Sequence, residues 1–124
     1  MVNNQIIGPR DTHLASEDID LAALRENLLE QRLFRQEQLR QIAATSRADA
    51  PPRQRAASQA EVRVQLAASA RMVLADVDAA LLRMDQGGYG ACGLCRRPIG
   101  SERLAIVPQA RYCTRCQQVR EAGR

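Results

Sequence analysis

Residues 87–118 read GGYGACGLCRRPIGSERLAIVPQARYCTRCQQ and hold every cysteine of the chain, in two Cys-x-x-Cys pairs, Cys92/Cys95 and Cys113/Cys116. Seventeen residues separate the pairs. Two such knuckles bring four soft thiolates to one point, the donor set of a tetrahedral Zn²⁺ with Zn–S bonds of about 2.3 Å. A shell of four thiolates leaves no position for water or substrate. The expected cofactor is therefore one structural Zn²⁺ on Cys92, Cys95, Cys113 and Cys116, with no catalytic residue. A redox dithiol pair or an iron–sulfur cluster competes less well, since two motifs at this spacing are seldom both oxidoreductase sites. Gly90 and Gly93 are expected to let the backbone turn its N–H groups toward sulfur. Arg96-Arg97-Pro98-Ile99-Gly100 reads as a turn, Arg103 to Val107 as a short extended stretch ended by Pro108, and Thr114 to Glu121 as a short helix.

Upstream, Gly87-Gly88 closes a long helical pattern from about Gln54 to Gln86. Leu66, Ala70, Val73, Val77, Leu81 and Met84 recur at spacings of three and four, close to a heptad seam, with Arg63, Arg71, Asp76, Asp78 and Arg83 on the polar face. The segment 46–58, SRADAPPRQRAAS, breaks helical periodicity, because Pro51 and Pro52 lack N–H groups and restrict their predecessors. Before it, a first helix is expected from Glu17 to about Thr45, with Ser16 as N-cap and Glu17, Asp18 and Asp20 in the first turn. Ile19, Leu21, Leu24, Leu28, Leu39 and Ile42 fall near one stripe, interrupted by Gln31 and Arg35. Two helices of similar length joined by a Pro-rich turn should fold back as an antiparallel hairpin, each arm roughly 40 Å long at 1.5 Å per residue.

The expected fold is thus mainly α: a long antiparallel two-helix coiled-coil hairpin with a C-terminal four-cysteine zinc finger and a short C-terminal helix. Its divisions are an N-terminal arm over 1–16, the hairpin over 17–86 with its tip at about 46–55, and the finger with the C-terminal helix over 87–124. Aromatic residues are confined to Phe34, Tyr89 and Tyr112, which suits paired Ala/Leu-rich helices better than a globular core. No stretch approaches the roughly 20 apolar residues of a membrane span, and Met1 to Arg10 has no signal-peptide pattern. A cytoplasmic location is expected, where reduced thiols favour metal over disulfide.

The 124 residues carry a net charge of +4. Residues 92–124 hold 7 Arg against 2 acids. A tetrathiolate Zn²⁺ site adds −2 there, so part of this basic excess balances the metal cluster. The only His is His13, in the arm, and no Ser/His/Asp set exists, so an enzyme is not expected.

Tyr89-Gly90-x-Cys92-x-x-Cys95-x-x-x-Ile99-Gly100, then Arg103-Leu104, Pro108, Ala110 and Cys113-x-x-Cys116-Gln117, resemble the zinc finger of the TraR/DksA family. The preceding hairpin is similar to the architecture of the DksA branch. The resemblance implies a transcription regulator that binds bacterial RNA polymerase at the rim of its secondary channel. The hairpin would enter that channel and carry its tip toward the catalytic Mg²⁺. The tip would comprise Asp49, Pro51, Pro52, Arg53, Arg55 and Ala56. It departs from the family pattern, which has two acids three residues apart followed by alanine. Here Asp49 is followed by Pro52, and an alignment on Arg55-Ala56-Ala57 leaves neither acid. The family's response to the alarmone ppGpp uses basic residues whose equivalents here are Ser69, Asp76 and Gln117. A weak or absent ppGpp response is therefore expected, together with a monomeric state and no direct DNA binding. Two other readings stand beside this one. One is a nucleic-acid module using the Arg96-Arg97 cluster. The other is a helical adaptor binding through Leu29, Leu33 and Phe34.

Overall fold

The computed structural model describes residues 19–48 and 53–123. Helix α1 spans Leu21–Ala48 and helix α2 spans Arg53–Gln86. At 1.5 Å per residue they are about 42 and 51 Å long. They pack against each other as the antiparallel hairpin the Pro-rich break predicts. Two short helices follow, α3 at Ser101–Ile106 and α4 at Thr114–Ala122.

The first helix begins later than its acidic run suggested. Asp20 is the cap: its Oδ1 accepts the Ala23 N–H at 3.1 Å and its carbonyl accepts the Leu24 N–H at 3.0 Å. This satisfies a first-turn donor that no helical carbonyl can reach. Ser16, Glu17 and Asp18, with the rest of the arm including His13, lie outside the described residues. Both helices extend into the tip region expected at 46–55, and only 49–52 lies between them. The end of α2 is as expected. Gly87 adopts φ +83, its N–H bonds the Met84 carbonyl at 3.3 Å, and the Gly88 N–H reaches back to Arg83 at 2.9 Å. That is a Schellman closure, whose left-handed residue glycine adopts without a Cβ clash.

The hairpin seam departs from the expected one at one position towards each end, Leu21 near the finger and Leu66 towards the tip. Ala67, Ala70, Val77, Ala80 and Leu81 are buried, with Val73 and Met84 packed against them, whereas Leu66 is 46% exposed and Leu21 is 53% exposed. Among the described side chains of α1, Leu28 alone is wholly buried, and Gln31 and Arg35 sit half-buried where they break the stripe. Two ion pairs between exposed side chains bridge the helices in antiparallel register, Arg25–Asp85 at 3.0 Å and Arg32–Asp78 at 3.3 Å. Each contributes little to stability on its own.

The second core lies in the finger. Cys92, Ile99, Leu104 and Ala110 are buried there, and Ile19 and Leu24 pack on them from the hairpin side. Tyr89 touches both cores. It joins rod to finger through its ring.

The stretch Arg103 to Val107, expected to be extended, is instead mostly helical. The Leu104 N–H bonds the Gly100 carbonyl at 3.0 Å and the Val107 N–H bonds Arg103 at 2.7 Å. Apolar alternation over five residues cannot separate strand from helix. The helical turn turns Leu104 inward at 1% exposure and leaves Ile106 81% exposed.

Candidate metal centre

The first knuckle is a tight loop closed by its own backbone. The Cys92 N–H bonds the Arg97 carbonyl at 2.8 Å, and Arg96 returns its N–H to Cys92 at 3.1 Å. Ala91 and Pro98 form an isolated antiparallel bridge beside it. The turn requires left-handed backbone at two places, Gly90 with φ +89 and Arg96 with φ +67. For Gly90 the sequence expectation holds. Gly93 serves otherwise: a Cβ there would stand 3.3 Å from the Tyr112 ring, so its value is close approach, and its N–H bonds the Arg111 carbonyl at 2.8 Å. The left-handed Arg96 carried no signal in the sequence, since only glycine advertises that conformation.

The second knuckle leads into α4, where Cys113 stands as the N-cap in extended conformation. The Gln117 N–H bonds the Cys113 carbonyl at 2.9 Å. The helix N-terminus therefore faces the sulfurs, and its unpaired N–H groups favour negative charge.

These two loops bring the Sγ atoms of Cys92, Cys95, Cys113 and Cys116 within 4.8 Å of one another. Cys95 and Cys113 stand 3.9 Å apart. A tetrahedral ion with bonds of about 2.3 Å separates its sulfurs by about 3.8 Å, so the arrangement fits Zn²⁺. The electrostatics point the same way. Burial opposes ionisation of Cys92, but backbone hydrogen bonds from Cys95, Cys113 and Leu94 outweigh it and bring the thiol down to about 6. The Leu94 N–H lies 3.4 Å from the Cys92 sulfur. Burial and the neighbouring thiols push Cys116 up to about 12. Four sulfurs this close cannot all be anionic without a cation among them, and a bound dication inverts that balance.

The segment from Pro108 to Tyr112 ties the finger to the rod through contacts that the sequence did not mark. Tyr89 Oη donates to the Pro108 carbonyl at 2.8 Å, Arg83 donates to Ala110 at 3.3 Å, and Arg103 Nε donates to Tyr112 at 2.9 Å. Arg111 pairs with Asp76 on α2 through Nε at 3.0 Å and through a terminal nitrogen at 2.9 Å. Partners 35 residues apart in sequence leave no local pattern to find. Burial, and then the nearby Arg111, lowers the affinity of the Arg83 guanidinium for its proton. Arg120 stacks on the Tyr112 ring at 4.7 Å. Between rod and finger lies a groove of about 710 Å³ whose lining includes Asp76, Arg103, Arg111, Tyr112, Gln117 and Arg120.

The tip assignments fare differently. Asp49, Pro51 and Pro52 lie outside the described residues, and Arg53, Arg55 and Ala56 enter as the first backbone turn of α2. Leu29, Leu33 and Phe34 are exposed, at 38%, 66% and 63%. No described helix is long and apolar enough to cross a membrane.

Comparison with known proteins adds three findings. Residues 87–122 match the family described as prokaryotic dksA/traR C4-type zinc finger. A C4-type finger with four clustered sulfurs holds one structural zinc. An uncharacterized protein of Aquifex aeolicus is 38% identical over 52 residues, which is 40% of this chain and 36% of that protein. The chain thus spans about a third of the length of that curated relative. The solved structure of transcription factor DksA2 from Pseudomonas aeruginosa superimposes with a TM-score of 0.69 at 27% identity, covering 82% of each chain.

Proposed function

Because this chain belongs to the DksA/TraR family of zinc-finger transcription factors, we propose that it binds bacterial RNA polymerase and modulates transcription initiation through the secondary channel. The observation that carries this reading is the joint similarity of rod and finger to a DksA transcription factor over 82% of the chain. A finger alone would leave the partner open. A narrow two-helix rod has a shape suited to a pore, and a finger fixed to one end suits a rim.

In this reading Cys92, Cys95, Cys113 and Cys116 ligate the zinc, and the metal acts as a structural anchor. Residues 17–86 form the channel probe, and 87–124 the rim-binding base. The probe ends in Asp49, Pro51, Pro52, Arg53, Arg55 and Ala56, a tip without the paired acids of the family. Binding to polymerase needs no ppGpp. Asp76 brings a carboxylate to the groove where the family places a cation, and this carboxylate already neutralises Arg111. Ser69 and Gln117 supply no charge. The protein acts as a cytoplasmic monomer, without contacting DNA.

Placement is tested by replacing the active-site Mg²⁺ of the polymerase with Fe²⁺, whose hydroxyl radicals cut nearby polypeptide. The bound chain should be cut around residues 46–56. Cuts in the finger alone, or none in a chain that demonstrably binds, would contradict insertion of the rod.

A further inference from the structure

Residues 108–112 run from the end of α3 into Cys113, and four of their carbonyls are held from four different places. Pro108 accepts from Tyr89, Ala110 from Arg83 on α2, Arg111 from the Gly93 N–H in the first knuckle, and Tyr112 from Arg103 on α3. The Arg111 side chain reaches across to Asp76 on α2. Pro108 and Ala110 are themselves buried. A loop of this length usually leaves its carbonyls to water. Here it is tied on one side to the second knuckle, by direct chain continuity, and on the other to the last three turns of α2.

We propose that segment 108–112 is a strap that couples metal occupancy to the order of the α2 end of the hairpin, residues 76–86. With zinc on the second knuckle, Cys113 is fixed, the strap is taut, and its ties hold Asp76, Arg83 and Tyr89. Without zinc, Cys113 moves freely and these ties are lost together. None of these strap ties, among the described residues, reaches the distal half of the hairpin around residues 60–70, and that half stays as it was. Coupling of this kind is reciprocal: if zinc orders the α2 end through the strap, cutting the ties weakens the hold on zinc.

Two measurements on the full chain test this. Hydrogen exchange is followed in the zinc-loaded protein and after metal removal by a chelator under reducing conditions. Amides of 77–86 should exchange at least about tenfold faster without metal, as expected for local opening of a segment that loses several hydrogen bonds. Amides of 60–70 should keep their rates. Zinc release to a chromogenic chelator is then timed for Tyr89→Phe, which removes only the hydroxyl, and for Arg83→Met. Each should release zinc several-fold faster than the parent, and together they should act more than additively. Arg40→Gln, which cuts an ion pair with Glu37 inside α1 and away from residues 76–86, should release zinc at the parent rate. Unchanged release in both strap variants would overturn the proposal. So would equal loosening of 60–70 and 77–86 on metal removal, which would mean that the whole hairpin melts.

Discussion

At the residue scale the protein turns on four sulfurs. The tetrathiolate reading was available from two Cys-x-x-Cys pairs because ligand type and spacing are written in the sequence. The supports around them were not. Arg96 at φ +67 and the Tyr112 ring against Gly93 depend on how the knuckles fold together. The Arg111–Asp76 pair depends on how the finger sits on the rod. If the four cysteines share one ion, losing one ligand should lose both ion and finger, since binding energy is folding energy in such sites. Cys113→Ser should contain no stoichiometric zinc and should lose the finger's ordered amide signals, while the hairpin keeps most of its helical circular dichroism. A folded, metal-loaded finger in that variant would contradict the ligand assignment.

At the element scale, the two long helices were legible from periodicity and from Pro51-Pro52. Their ends were less so: the cap is Asp20, and α1 runs to Ala48. The seam was legible over most of its length and misread at Leu21 near the finger and at Leu66 beyond it. Leu66 matches the heptad in sequence, yet Ala67 takes the buried place because the rod has no third layer to cover a wider apolar stripe. The short helix α3 was missed because six residues carry too little pattern to choose a period. These packing differences have measurable consequences. Leu28 is wholly buried between the helices, so Leu28→Ala should cost about 2–5 kcal/mol in a thermal or denaturant melt. Leu66→Ala, at a position 46% exposed, should cost well under about 1 kcal/mol. Equal losses for the two would mean that the seam runs through Leu66 after all.

At the scale of the whole molecule, a thin rod is anchored at one end by a metal-organised finger, with Tyr89 as the shared residue of both cores. In the proposed function the two parts do different work: the base holds, and the far end probes. The family pattern puts its chemistry in paired tip acids, and this chain offers Asp49 alone. Asp49→Ala should therefore change transcription in a purified system by less than about twofold, with binding intact, the size of effect expected when no functional group is removed. A large loss of effect with binding preserved would show that Asp49 acts alone. The absence of the alarmone cations at Ser69, Asp76 and Gln117 predicts the same transcriptional effect with and without ppGpp, provided the polymerase lacks other ppGpp sites.

The claim on which the rest depends is binding to the polymerase, and equilibrium binding of the zinc-loaded chain to bacterial core RNA polymerase tests it most directly, with a known secondary-channel factor as competitor. The account predicts saturable binding at or below about micromolar protein, a range typical of specific protein contacts, and displacement by the competitor. No binding at micromolar concentration, or binding that the competitor leaves untouched, would contradict it.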